Sequence, residues 1–221
     1  MNKTVIVLAF LWPSLWCADS LQGGDYSMLP AASPEMTGPG VAPEKAPGHT
    51  VLAEGVLLIA GKNLLDPNFA RAVILITEYD AQGTTGLVLN RPTKIPVSHA
   101  LPQLKELAEH PETIHSGGPV AANLIHLLVK SDLVPQGAKQ LVDNIFMVDS
   151  METLRQLELE GNNKNEIRVY MGFSGWAPGQ LETELLHGDW YIWPASSTVI
   201  FSKNPENIWY ELIYLATAKW T

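Results

Sequence analysis

At 221 residues, 46% hydrophobic and 17% charged, the chain has the composition of a folded globular protein, which excludes disorder throughout. The formal charge of −9, spread along the chain and offset by no basic run, disfavours passive attraction to nucleic acid or anionic lipid. Cys17 is the single cysteine, so an intramolecular disulfide and a thiolate metal cluster are excluded, and a mature domain beginning after it has no thiol for catalysis.

The N-terminus has the shape of an export leader: Asn2 and Lys3, an apolar run from Val5 to Trp12, then Pro13 and Ser14. The run is shorter than the roughly 20 residues a bilayer-spanning helix needs. Residues 1–18 are therefore read as a signal peptide or a lipoprotein-like leader with Cys17 a candidate for lipidation, although Trp16 stands where a small residue is expected before the modified cysteine. The alternative is an uncleaved tail. Residues 19–54 interleave Pro30, Pro34, Pro39, Pro43 and Pro47 with glycines and show no apolar period, which predicts a disordered linker. The folded domain is expected over 55–221.

VLLIA (Val56–Ala60) is an apolar run bounded by glycines and predicts a buried strand. AVILITEYD (Ala72–Asp80) and TTGLVLN (Thr84–Asn90), joined by a short glycine-containing turn, predict a β-hairpin. Ser98 is read as the cap of a short helix carrying Leu101, Leu104 and Leu107 and interrupted by Pro102. Strands are expected at Thr113–Ser116, Leu124–Lys130 and Asn144–Val148, then a helix capped by Ser150, with Leu154 and Leu157 on one side and Gly161 as its stop. Glu166–Gly175 alternates Ile167, Val169 and Met171 with other residues, the pattern of a half-buried strand. It runs into GFSGWAPGQLETEL (Gly172–Leu185), a strand-to-helix corner with Pro178 in the first helical turn and Gly188 at the end. DWYIW and STVIF predict two more strands, and Asn204 and Pro205 start a last helix reaching about Lys219 with Ile208, Leu212 and Leu215 on its apolar face. The irregular mixture of strands, hairpins and helices favours a single α+β domain.

No segment carries a recognisable catalytic set. Ser174 lacks the following glycine of a nucleophile elbow, because Trp176 occupies that position. The six histidines, His49, His99, His110, His115, His126 and His187, show no metal-ligand spacing. His126 reads as a hydrogen-bonded core or edge residue, and Ser174 as a turn former. No phosphate-binding glycine motif is present, so no metal and no cofactor are expected. Gly117 and Gly118 could offer backbone amides to an anion and Asn90 with Arg91 a donor cluster. Alternatively both are turns, with Arg91 paired to Glu78 or Glu182. Glu182 and Glu184 are two apart on a helix and diverge. Trp176, set among Gly175, Gly179, Gln180 and Glu182, is either a contact residue or a core plug beneath the bend.

Taken in order, GVLLIA (Gly55–Ala60), LLDPNFARAVILI (Leu64–Ile76), GLVLNRP (Gly86–Pro92), GGPV (Gly117–Val120), GFSGWAPGQLETEL, Trp190 and Phe201 resemble the YqgE/AlgH family of bacterial proteins over about Gly55–Leu215. The resemblance implies a compact α+β domain with a mixed, strongly bent sheet and several packed helices. It implies no agreed activity, and a regulator label that rests on genetics. Thr77, Tyr79 and Ala72 stand where the family often has Cys or His, and Ser or Thr, so roles proposed for those positions do not transfer. Members typically lack an export leader, so the leader and linker read here are unusual for the family.

The expected function is a non-catalytic binding, regulatory or adaptor domain, exported and periplasmic or membrane-tethered, presenting a face of GGPV and GWAPGQ to a protein or small-molecule ligand. The alternatives are an enzyme acting on a small or anionic substrate through Arg91, Gln180 and Glu182, and a transcriptional regulator, which the acidic charge and leader disfavour. The cytoplasm, usual for the family, is the alternative compartment.

Overall fold

A computed structural model describes residues 50–100, 113–148, 166–201 and 204–218, together with 150, 152, 153 and 156. The leader, Cys17, most of the linker, Leu101, Leu104, Leu107, His110, Leu154, Leu157 and Lys219 lie outside the described residues.

Among the described residues ten strands join into one sheet: β1 (Val56–Ala60), β2 (Val73–Asp80), β3 (Gly83–Val88), β4 (Pro92–Pro96), β5 (Thr113–Ser116), β6 (Val120–Lys130), β7 (Lys139–Val142), β8 (Ile145–Val148), β9 (Glu166–Trp176) and β10 (Trp190–Pro194). The main path runs β10-β1-β2-β3-β9-β6-β8-β7, with β4 on β5 and β5 on β9. Among the described residues four helices accompany it: α1 (Val97–Ala100), α2 (Gln180–Leu186), α3 (Ser197–Ile200) and α4 (Ile208–Ala218).

This corrects the expected α+β domain with several packed helices. The chain forms a strongly curled sheet, a half-barrel, and of the described residues 45% are strand and 20% helix. Pairing is antiparallel throughout except for β5 against β9. The physical reason is segment length: α1 and α3 have four residues each and α2 seven, so among the described helices α4 alone is long enough to cover much of the sheet.

Long β9 organises the curl. Its Tyr170–Met171 segment pairs with β5, its Ser174–Trp176 segment with β3, and β6 follows it from Glu166 to Phe173 with a register shift between Val120 and Ile125. It is buried on both faces, Arg168 and Tyr170 included, so the half-buried reading is corrected: two cores meet there. The larger core joins β1, β2 and β3 to α4, Trp176 and Trp190, and the smaller gathers Val97, Ile114, Leu127, Val129, Val148, Ile167 and Val169. At the far edge, Lys139 of β7 reaches back across the curl and donates from Nζ to the Thr77 carbonyl at 2.8 Å while pairing with Glu54 at 2.7 Å.

The β2–β3 hairpin, β5, β8 and the β9-to-α2 corner form where the sequence places them. STVIF is not a strand. Ser196 Oγ accepts from the Val199 amide at 3.4 Å, an N-cap that starts α3 instead. In α4 the buried side is Ile208, Trp209, Leu212, Ile213 and Ala216, while Leu215 faces solvent. Trp209 anchors that helix by donating its indole N–H to the Ala60 carbonyl at 2.8 Å. β4 and β7 lack any apolar alternation and were not legible as strands.

Candidate functional site

The loop before β2 is built on Asp66, whose carboxylate accepts from the Asn68 amide at 2.7 Å and whose carbonyl accepts from the Phe69 and Ala70 amides at 2.9 and 2.7 Å. Asn90 fastens the loop to the sheet: its Oδ1 accepts from the Val73 amide at 2.9 Å and its Nδ2 donates to the Arg71 carbonyl at 2.9 Å. These two bonds hold Arg71 in the left-handed conformation, φ 59°, that a non-glycine residue adopts at a cost. Arg91 turns inward and donates from Nη2 to the Pro67 and Ala70 carbonyls at 3.4 and 3.3 Å. Burial lowers its pKa and nearby Asp66 opposes the shift. The carboxylate pairing with Glu78 or Glu182 does not form; backbone carbonyls take that place.

Gly117 and Gly118 form a close backbone crossing. The Gly117 amide donates to the Met171 carbonyl at 2.8 Å and its carbonyl accepts from the Val88 amide at 2.9 Å. A Cβ at Gly117 would stand 2.2 Å from the Gly172 carbonyl oxygen, and one at Gly118 2.3 Å from the Phe173 backbone. Both residues are there because no side chain fits, and the Gly117 amide is spent on the sheet. Ser174, fully buried, donates to the Gly117 carbonyl at 3.4 Å.

Below the corner, Phe69 stacks on Trp176 at 6.0 Å between ring centroids and meets Trp190 edge-on at 5.8 Å, and the two indoles cross at 5.9 Å. Trp176 is 5% exposed: it is the plug beneath the bend. Glu184 Oε2 accepts from both indole N–H groups, Trp176 at 2.9 Å and Trp190 at 2.8 Å, and its Oε1 accepts from Gln180 Nε2 at 2.9 Å. Gln180 Oε1 in turn accepts from the Ala177 amide at 3.0 Å, closing the turn that Gly179, φ 77°, leads into α2. The exposed outer side of this corner consists of Gly175, Ala177, Pro178, Gly179 and Gln180. Beside it the Tyr79 hydroxyl donates to Glu182 Oε1 at 2.8 Å, which raises the Tyr79 pKa.

Asn90 and Arg91 are thus tied to Trp176 and Gln180 through the Phe69 loop, whereas Gly117 and Gly118 cross β9 earlier along the strand, at Met171–Ser174, and Arg91 and Glu182 serve different partners. Glu184 and Phe69, which knit the corner, carried no signal as site residues; the i, i+4 spacing of Gln180 and Glu184 is the one clue in the sequence. A second buried group is His115 on β5, 4% exposed, 5.4 Å from the Tyr170 ring. Burial, then the charge of Arg168, push it down to about 4 against the opposing Thr113 backbone. His126 is half-buried and meets the Phe173 ring edge-on at 5.9 Å. Among the described residues no group of three or more His, Cys, Asp or Glu side chains is placed to hold a metal ion, and no helix is long and apolar enough to cross a membrane.

A curled, mainly antiparallel half-barrel locked by an aromatic corner at the end of β9 defines the class. The chain belongs to the AlgH-like family, DUF179, whose model matches residues 57–220. It is 38% identical over 160 residues to UPF0301 protein CT0663 of Chlorobaculum tepidum, covering 72% of this chain and 84% of the relative. It is 37% identical over 165 residues to a UPF0301 protein of Streptomyces avermitilis, covering 72% and 84%. Among solved structures it is similar to the AlgH protein of Pseudomonas aeruginosa, with TM-score 0.60, 27% identity and coverage of 77% of this chain and 92% of that one. Protein DIP2367 of Corynebacterium diphtheriae shares the fold, with TM-score 0.66, 24% identity and coverage of 75% and 87%.

Proposed function

We propose that this AlgH-like domain is a binding or adaptor module whose contact surface is the outer side of the corner, Gly175 and Ala177–Gln180, extended by Tyr79 and Glu182. One observation carries the reading: the motif residues spend their polar groups internally, on Glu184, on the Asp66–Arg71 loop and on β9, and so hold an exposed turn rigidly in place. A pre-organised surface loses little entropy on binding. The partner is a protein or small molecule, with nucleic acid disfavoured by the charge of −9.

The test uses exposed Ala177 and half-buried Glu182, neither of which belongs to the core. Ala177→Arg with Glu182→Lys should remove partners that the wild-type chain captures in crosslinking, while the chain still melts cooperatively, with a loss no larger than that of the exposed Tyr79–Glu182 hydrogen bond. An identical set of partners with the double variant would show that this side of the corner is not the contact surface. The leader-like residues 1–18 support export as part of the same proposal, with residence in the cytoplasm as its alternative. Mass analysis of the mature N-terminus after cell fractionation separates the two.

A further inference from the structure

The outer side of α4 exposes three large hydrophobic side chains beside a single carboxylate where a surface helix is ordinarily polar. Its inner side is buried in the larger core, yet Tyr210, Tyr214 and Leu215 on the other side are 51%, 72% and 49% exposed. A helix that is apolar all round is ordinarily covered on both sides. Tyr210 and Tyr214 stand one turn apart and form a ridge. Arg71 reaches this ridge from the loop before β2: its Nη1 donates to the Tyr210 hydroxyl at 2.8 Å, and the guanidinium lies 5.9 Å from the Trp209 ring centroid and 5.6 Å from that of Tyr210. With its backbone fixed by Asn90 and its head by Tyr210, Arg71 is held in place before any partner arrives. On the helix itself the exposed Glu211 lies between the two tyrosines.

We propose that this face pairs with the same face of a second copy of the chain. The argument is charge. A chain of net −9 repels its own copies, and self-association needs a patch where that repulsion is absent. Here one cation, Arg71, and one anion, Glu211, flank an aromatic ridge. A two-fold axis through such a patch sets Arg71 of each copy against Glu211 of the other, satisfying both twice, while the tyrosine ridges pack across the axis. A basic protein partner would use the acidic surface elsewhere and gain nothing from Arg71. Tyr and Arg are also the residue types over-represented at the centres of interfaces.

The test is sedimentation velocity of the full chain in reducing buffer, so that Cys17 cannot link copies, across a range of concentrations. The wild type is expected to shift from monomer to dimer. Tyr214→Glu, at an exposed position, should abolish the shift with the thermal melt unchanged. Glu211→Arg should weaken the dimer at least about tenfold by setting cation against cation, and Arg71→Glu combined with Glu211→Arg should restore part of it. A wild type that stays monomeric at about 100 µM, or a dimer indifferent to Tyr214→Glu, overturns the proposal. Neither outcome bears on the corner described above, which α4 does not contribute to.

Discussion

The indole N–H of Trp176 donates to Glu184 Oε2 at 2.9 Å, and this one bond decides what the corner is. From the sequence Trp176 could be either a contact residue or a core plug, and its polar atom is turned inward to a carboxylate that Trp190 shares.

Glu184→Ala leaves two nearly buried indole donors without an acceptor. Each unsatisfied donor costs about 1–3 kcal/mol, so the variant should lose several kcal/mol in urea unfolding, with the near-ultraviolet tryptophan signal altered. Glu184→Gln keeps an acceptor oxygen and should fall between. Full stability in the alanine variant would mean that the shared carboxylate contributes nothing.

Gly117 and Gly175 should respond differently to alanine. Gly117→Ala places a Cβ 2.2 Å from the Gly172 carbonyl oxygen, backbone that cannot step aside, and should prevent folding or cost more than about 3 kcal/mol. Gly175→Ala meets only the Phe173 ring edge at 3.5 Å and a Val120 methyl at 3.9 Å, and should stay within about 1 kcal/mol of wild type. Thermal melts of the two variants side by side test the contrast.

Asn90→Ala removes both bonds that fix the loop before β2, to the Val73 amide and the Arg71 carbonyl. The expected cost is about 2 kcal/mol, and hydrogen exchange should speed up across residues 66–73 but not in β5 or β8. Uniform exchange behaviour would show that the loop is held by Phe69 alone.

His115 makes acid stability a readable quantity. Its pKa falls from 6.5 unfolded to about 4 folded through burial, then the Arg168 charge. The folded state therefore takes up its proton less readily than the unfolded chain. The stability this contributes is complete above pH 6.5 and disappears as the pH falls from 6.5 towards 4, by about 3 kcal/mol. Urea midpoints of wild type and His115→Gln should converge over that interval. Parallel pH profiles would place the titration elsewhere.

Local signals were legible and long-range ones were not. The β2–β3 hairpin and the β9-to-α2 corner show in the sequence because a turn and its flanks lie within a few residues. β4 and β7 are short and polar, and they are strands only because β5 and β8 lie alongside. The continuous apolar runs are ambiguous by period alone, so STVIF read as a strand until Ser196 capped it. Arg91 was legible as a donor but not its target, since the Pro67 and Ala70 carbonyls lie more than twenty residues away in the chain. Glu184 looked like one half of a diverging pair because the indoles that claim it come from two other strands.

β1 has a consequence for how the molecule is made. The first strand of the domain is held on one edge by β10 and capped from above by Trp209 of α4, 149 residues later in the chain. A ribosome releases those partners last. Until they emerge, VLLIA has one neighbour, β2, and an open edge. The early half of this domain must therefore wait, apolar and half-paired, until β10 and α4 have emerged, and long-range closure of this kind makes folding slow.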